Sequence, residues 1–379
     1  MSSAALFQPF RVGSLALRNR IATAPMTRSL SPGGVPGPDV AAYYARRARH
    51  QVGLIITEGT WIDHPVAGND ANVPNFHGAD SLAGWRAVVD AVHAEGGAIV
   101  PQLWHVGQTT KPPIDTVFAD KPDALYHPDV VGPSGMIGGI GTPMALLGRP
   151  MTQGDIDAVI TSYARAAADA MRLGFDGVEL HAAHGYLIDQ FFWQETNLRA
   201  DRYGGSLANR AAFGAEIVAE IRRATRPDFP IIFRFSQWKS QDYAARVARN
   251  PDELGQWLQP LADAGVDIFH ASVRRFWEPA FVDSRLNLAG WAKRVTGKAA
   301  MTVGSVGLDG DFIDSLTAGA SGTPSAGQMD RLVEMIAEDE IDLVAVGRAL
   351  LADPRWVEKL RDGRSDFDPF VVGKLASLV

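Results

Sequence analysis

Two imidazoles and a phenol fall within one short stretch of this chain, His181-Ala-Ala-His184-Gly-Tyr186. His181 and His184 can hold one oxygen between two N–H donors, and Tyr186 can deliver a proton beside them. That set suits chemistry on a carbonyl compound. The same pair could instead bind a metal, since His-x-x-His supplies two ligands. A metal site in a barrel would usually draw further His or carboxylate ligands from other strand ends, where His270 and Glu58 are the evident candidates. A Schiff-base aldolase would need a strand-end lysine, and Lys239 is the one that stands near such a position.

Other polar residues interrupt apolar runs. Gln102, in Gln-Leu-Trp-His (102–105), offers both a donor and an acceptor, which suits the imide-like edge of a heterocycle. Trp104 beside it could line a pocket or belong to the core. Arg234, in Ile-Ile-Phe-Arg-Phe-Ser (231–236), must find an anion or acceptor cluster because an unpaired buried guanidinium is costly, and no acid lies close in sequence. Thr27 follows Ala24-Pro25-Met26, where proline cannot continue a ladder and the hydroxyl is offered beyond the strand.

The elements that must position these groups alternate along the chain. Strands are expected at Arg20–Ala24, Gly53–Thr57, Ala98–Leu103, Gly177–Leu180, Ile231–Phe235, Asp267–Ala271, Ala300–Val303 and Leu343–Val346, short and apolar throughout, as strands buried on both faces should be. Helices fall between them. Ser81, Thr152 and Ser206 read as N-caps, and Asp353-Pro354 as a helix start with proline at its favoured first position. Eight such units give an α/β fold, a (β/α)8 TIM barrel forming one domain over residues 1–379, with a doubly wound open sheet as the alternative. Residues 9–20 read as an N-terminal β-hairpin cap turning at Gly13-Ser14. Residues 107–150 form a Gly- and Pro-rich excursion after strand three, and residues 317–332 a surface-loop insertion. The glycines of 135–141 follow no strand and open no helix, so they are no dinucleotide loop.

In a parallel β/α barrel the active site lies at the carboxyl ends of the strands, and the loops after strands seven and eight often hold phosphate. Gly304 and Ser305 follow strand seven; Gly347 and Arg348 follow strand eight. Close backbone approach plus a bidentate cation suits a phosphate. A phosphate there and a polar heterocycle met by Thr27, Gln102 and Arg234 together describe flavin mononucleotide, with His181 and His184 facing a substrate beside its ring.

Composition narrows the partners. The chain has 379 residues, 46% of them hydrophobic, and a formal charge of −7; with a pI near 5.7 this argues against nucleic acid and against an anionic membrane surface. Absent cysteine removes disulfide frameworks, thiolate metal sites and cysteine nucleophiles. The first residues lack a basic start and a long apolar core, and no apolar stretch approaches membrane-spanning length, so a cytoplasmic location is expected.

Taken in order, the motifs resemble the Old Yellow Enzyme family of flavin-dependent reductases. They are Asn19-Arg20-Ile21 through Ala24-Pro25-Met26-Thr27-Arg28, Gln102-Leu103-Trp104-His105-Val106-Gly107, His181 to Leu187, Asn197 to Ser206, and Val346-Gly347-Arg348 with Asp353-Pro354. The resemblance implies non-covalent FMN, with NAD(P)H as reductant. It implies that Thr27 hydrogen-bonds the flavin, that Pro25, Met26 and Glu58 contact it largely through backbone, and that Gln102 binds its pyrimidine edge. Arg234 would stabilise the reduced ring, and Gly304, Ser305, Gly347 and Arg348 the phosphate. His181 and His184 would hold the substrate oxygen, Tyr186 would be the proton donor, and Trp104 would border the substrate. The implied substrate is a small enone, enal or nitroalkene reduced at its C=C bond. Neither a monomer nor a homo-oligomer is singled out. The rival readings are an FMN-dependent demethylase or dienoyl-type reductase on the same barrel, a metal-dependent barrel hydrolase or lyase, and a non-catalytic flavin-binding protein. The chain departs from the family pattern where Ser236-Gln237-Trp238 replaces the more usual Ser-Pro, and some relatives carry cysteine where Thr27 stands.

Overall fold

Eight apolar runs pair side by side in parallel and close into a barrel whose order follows the chain: β1 (Ile21–Thr23), β2 (Leu54–Trp61), β3 (Ala98–Trp104), β4 (Val178–His184), β5 (Ile231–Lys239), β6 (Ile268–Ser272), β7 (Ala299–Val303) and β8 (Leu343–Val346). The computed structural model describes residues 3–109, 130–137, 144–146, 148–310, 319–322 and 326–378. Around the barrel lie α1 (Pro38–Arg49), α2 (Ala79–Ala94), α3 (Gln153–Arg172), α4 (Leu207–Ala224), α5 (Pro251–Ala264), α6 (Leu288–Thr296), α7 (Ala326–Ala337) and α8 (Arg348–Ala352). This is the expected (β/α)8 barrel; the open-sheet alternative falls because β3 pairs with β4 and β8 with β1.

Alternation along each strand makes two cores. Val178, Leu180 and Ala182 of β4 pack outward against the helices, while Ile232, Ile268, Met301, Leu343 and Ala345 fill the interior. Burying each Ile or Leu contributes about 1.5–3 kcal/mol. The hairpin of Phe10–Val12 with Leu15–Leu17 sends Leu15 and Leu17 into that interior, so it closes the barrel floor. Its turn needs Gly13, whose φ is +52° and where a Cβ would lie 2.4 Å from the Asp228 carbonyl.

Thr152 and Ser206 cap their helices as expected, Thr152 in a reciprocal capping box with Asp155. Ser81 does not: α2 starts at Ala79 after Gly78, and the buried Ser81 hydroxyl donates to the Gly34 carbonyl at 2.9 Å. Asp353-Pro354 does not open a helix either. Asp353 ends α8, and the next helix begins at Trp356. The Asp353 carboxylate bonds the Arg355 amide (3.0 Å) and Lys359 Nζ (2.7 Å). The 317–332 insertion is not all loop: from Ala326 it is α7, which buries Leu332, Val333, Met335 and Ile336. That helical spacing outweighs the Gly/Ser/Pro content before it; residues 311–318 and 323–325 lie outside the described residues. Of the 107–150 excursion, Met136–Ile137 pairs with Ala145–Leu146 and Val131–Gly132 with Arg149–Pro150; residues 110–129, 138–143 and 147 lie outside the described residues, most of the 135–141 glycine run included.

Candidate active site

β4 runs to His184, beyond the Leu180 end expected from sequence, so both histidines belong to the strand. His184 has a φ of +66° and Gly185 of +84°, a left-handed corner that aims Tyr186 back over the barrel mouth. The corner is tied down from behind. Gly185 N–H donates to Asp189 Oδ2 at 2.7 Å, and Lys239 Nζ bonds Asp189 Oδ1 at 2.5 Å, both side chains fully buried. Lys239 also donates to the Ser236 carbonyl at 3.1 Å. A lysine so engaged is not placed as a Schiff-base nucleophile.

Four rings meet at this corner. His181 stacks on Trp104 with centroids 5.4 Å apart and lies edge-on to His184 (5.0 Å) and Tyr186 (4.9 Å). Tyr186 is also edge-on to Trp104 at 4.7 Å. On the other side His184 stacks on Trp238 at 4.4 Å, and its Nε2 lies 2.8 Å from Ser272 Oγ. Burial first, then nearby cations, holds both imidazoles well below the usual histidine range. They are therefore neutral donors at physiological pH. His181 Nδ1 is buried and has no hydrogen-bond partner, an arrangement that invites an acceptor.

Beneath the rings, Gln102 of β3, Glu179 of β4, His270 of β6 and Arg234 of β5 form a buried layer. Arg234 Nη1 meets His270 Nε2 at 2.8 Å, and His270 Nδ1 meets Glu179 Oε2 at 2.6 Å. The acceptor for Arg234 thus comes from the neighbouring strand β6, where His270 stands opposite it in register. Arg234 Nε has no partner.

At the end of β1, Pro25 and Met26 are half-buried and Thr27 is exposed at the mouth. Glu58 anchors this loop: its Oε2 accepts from the Arg28 amide (2.8 Å) and the Ser29 amide (3.1 Å). Burial pushes the Glu58 carboxyl from 4.5 up to about 7. A carboxyl raised on folding contributes stability that is complete below its unfolded value and lost as pH rises through the folded one. Glu58→Gln, which keeps an acceptor for both amides, should therefore gain on the wild type in thermal midpoint between pH 5 and pH 8. A gap that stays constant over that range would contradict this.

Gly304 and Ser305 follow β7, and Gly347 and Arg348 follow the adjacent β8. A Cβ on Gly304 would lie 2.3 Å from the Val273 carbonyl, and Ser305 Oγ donates to the Arg274 carbonyl at 2.9 Å. Arg348 Nη2 donates to the Gly310 carbonyl at 3.0 Å, with its guanidinium 5.8 Å from the Phe370 ring.

The residues singled out from sequence thus gather at one barrel mouth. Glu179, Ser236, Trp238 and Ser272 are the ones that sequence reasoning missed. Glu179 had a signal: it is a carboxylate inside an apolar strand, two positions before His181 and so on the same face. The candidate metal ligands separate, Glu58 to loop amides and His270 to Glu179 and Arg234; among the described residues no three His, Cys, Asp or Glu side chains form a metal-binding group. The donor set fits flavin mononucleotide: unpartnered buried nitrogens on Arg234, His181 and Trp104, a buried carboxamide at Gln102, and an arginine with glycines at two adjacent strand ends.

Comparison with known proteins agrees. Residues 5–366 match the NADH:flavin oxidoreductase / NADH oxidase family. The chain is 34% identical over 373 residues to an NADH oxidase of Thermoanaerobacter brockii, covering 95% of this chain and 51% of that protein, so it spans about half of that relative. It is 33% identical over 371 residues to 12-oxophytodienoate reductase 7 of Oryza sativa subsp. japonica, covering 94% and 88%. Morphinone reductase superposes with a TM-score of 0.74 at 28% identity, covering 98% and 92%. Old Yellow Enzyme from Pichia sp. AKU4542 shares the fold, at a TM-score of 0.77 with 24% identity, covering 98% and 90%. The chain belongs to the NADH:flavin oxidoreductase / NADH oxidase family, the Old Yellow Enzyme type of barrel oxidoreductase that works with FMN and NAD(P)H.

Proposed function

We propose that this enzyme reduces the C=C bond of small α,β-unsaturated carbonyl or nitro compounds. The observation that carries the reading is the buried, unpartnered Nδ1 of His181, set beside His184 and Tyr186. Relatives named reductases of 12-oxophytodienoate and morphinone support an oxo substrate. FMN, when bound, supplies the hydride chemistry between NAD(P)H and the substrate carbon.

The protein's part is positioning and charge. His181 and His184 hold the substrate oxygen as neutral donors and stabilise the negative charge that develops there. Tyr186 gives its phenolic proton to the α-carbon as general acid. Trp104 packs against His181 and walls the substrate. Gln102, Thr27 and Arg234 hold the flavin ring, the backbone of Pro25, Met26 and Glu58 borders it, and Gly304, Ser305, Gly347 and Arg348 hold its phosphate. No helix among the described residues is long and apolar enough to cross a membrane; a cysteine-free chain needs no oxidising compartment to fold, and a cytoplasmic location belongs to the same reading.

The test is an anaerobic absorbance spectrum of the purified protein, before and after NADPH and then after cyclohexenone. A flavin band that bleaches with NADPH and returns with the enone is the expected result. A band that bleaches and does not return with any enone, enal or nitroalkene would sink the substrate assignment.

A further inference from the structure

The roles assigned so far leave one buried carboxylate without a task. Glu179 lies in the middle of the interior layer, fully buried, and makes no direct ion pair with Arg234. Its Oε1 accepts from Gln102 Nε2 at 2.7 Å, and its Oε2 lies 2.6 Å from His270 Nδ1. Arg234 Nη1 lies against the same ring, 2.8 Å from Nε2 and 3.3 Å from Nδ1.

The donor inventory sets the protonation pattern. A carboxylate only accepts and a guanidinium only donates. His270 must then carry its proton on Nδ1, the nitrogen that faces the Glu179 carboxylate. Burial favours the uncharged ring. We propose that Glu179 is a positioning residue: it orients the Gln102 carboxamide and locks His270 in the Nδ1–H tautomer, and through that ring it offsets the charge that Arg234 presents to the flavin. The proposal rests on the flavin reading above.

Only a carboxylate can serve both neighbours, because each of its oxygens accepts. An amide at this position has one acceptor and one donor. It would either turn the Gln102 carboxamide over or donate to Nδ1 and so drive His270 to the Nε2–H tautomer. A salt bridge kept for its Coulomb attraction alone would be direct and bidentate. Here a neutral ring separates the two charges, so Arg234 keeps donor capacity: its Nε has no partner.

Two measurements test this. The first is a redox titration of bound FMN. Glu179→Gln removes one negative charge from the interior, and should shift the oxidised–reduced equilibrium toward the reduced flavin by about tenfold. That is the size expected for a unit charge roughly 10 Å away at an effective dielectric of about 20, and corresponds to about +30 mV for a two-electron couple. Glu179→Asp keeps two acceptor oxygens and should return most of the shift, whereas a purely structural role would leave the potential of both variants at the wild-type value. The second is the imidazole ¹⁵N spectrum of the wild type, with His270 assigned against His270→Asn. It should show Nδ1–H, and it needs no Glu179 variant to fold. An unchanged potential in Glu179→Gln, or an Nε2–H signature in the wild type, would overturn the proposal. Failure of the wild-type protein to bind FMN would instead remove the flavin reading, while the ¹⁵N signature still decides the relay.

Discussion

Tyr186→Phe should slow reduction of an enone by roughly 10²–10⁴-fold, the usual worth of a placed general acid, while flavin reduction by NAD(P)H stays near the wild-type rate. The asymmetry is the point of the experiment. Phenylalanine keeps the edge-on contacts with Trp104 and His181, so the mouth of the barrel should hold its shape. What goes is the hydroxyl, and on the proposed mechanism only the half-reaction that ends in a C–H bond at the α-carbon needs its proton. Stopped-flow measurement of each half-reaction separates the two. Equal slowing of both would mean that Tyr186 shapes the site without acting as the acid.

His181→Ala should cost about 10²–10³-fold in turnover, as loss of one oxyanion donor does elsewhere, and should also weaken substrate binding. His181→Asn, which keeps an N–H near the same place, should recover part of both. The structure adds a pH expectation. Both imidazoles are held well below the usual histidine range, chiefly by burial, so each stays neutral across physiological pH. Turnover should not fall as pH rises through the range where an exposed histidine loses its proton. A fall there that disappears in His181→Ala would show that a charged imidazolium does the work.

Much of this molecule is written in local sequence. Eight short apolar runs rich in Val and Ile, separated by helical spacing, are enough to specify parallel strands buried on both faces, and a strand formed on each of the eight, with β2, β4 and β5 running four residues past the expected end. Thr152 and Ser206 cap their helices because a side-chain oxygen two or three residues from a free amide is a local event. Gln102 and Arg234 were legible for the same reason, each a polar residue in a run apolar throughout, and His181 and His184 by their types and spacing just past such a run. Ser81 shows the limit, since a serine that looks like a cap spends its hydroxyl on Gly34 in another loop.

What only the tertiary structure decided is who answers each buried polar group. Arg234 is balanced by Glu179 through His270, which are 91 positions apart, and Lys239 is engaged by Asp189, 50 positions away. Barrel closure brings β3, β4, β5 and β6 side by side, and their inward side chains converge in one layer. Periodicity says which face a residue takes; it carries no information about which residue from another strand stands opposite. Low-dielectric burial makes that pairing decisive, because a buried charge or donor without its partner is too costly to keep. The sequence by itself thus determined the barrel and the groups aimed at its mouth. The three-dimensional packing decided which of them are engaged, as Lys239 is, and which, like Nδ1 of His181, remain open for a ligand.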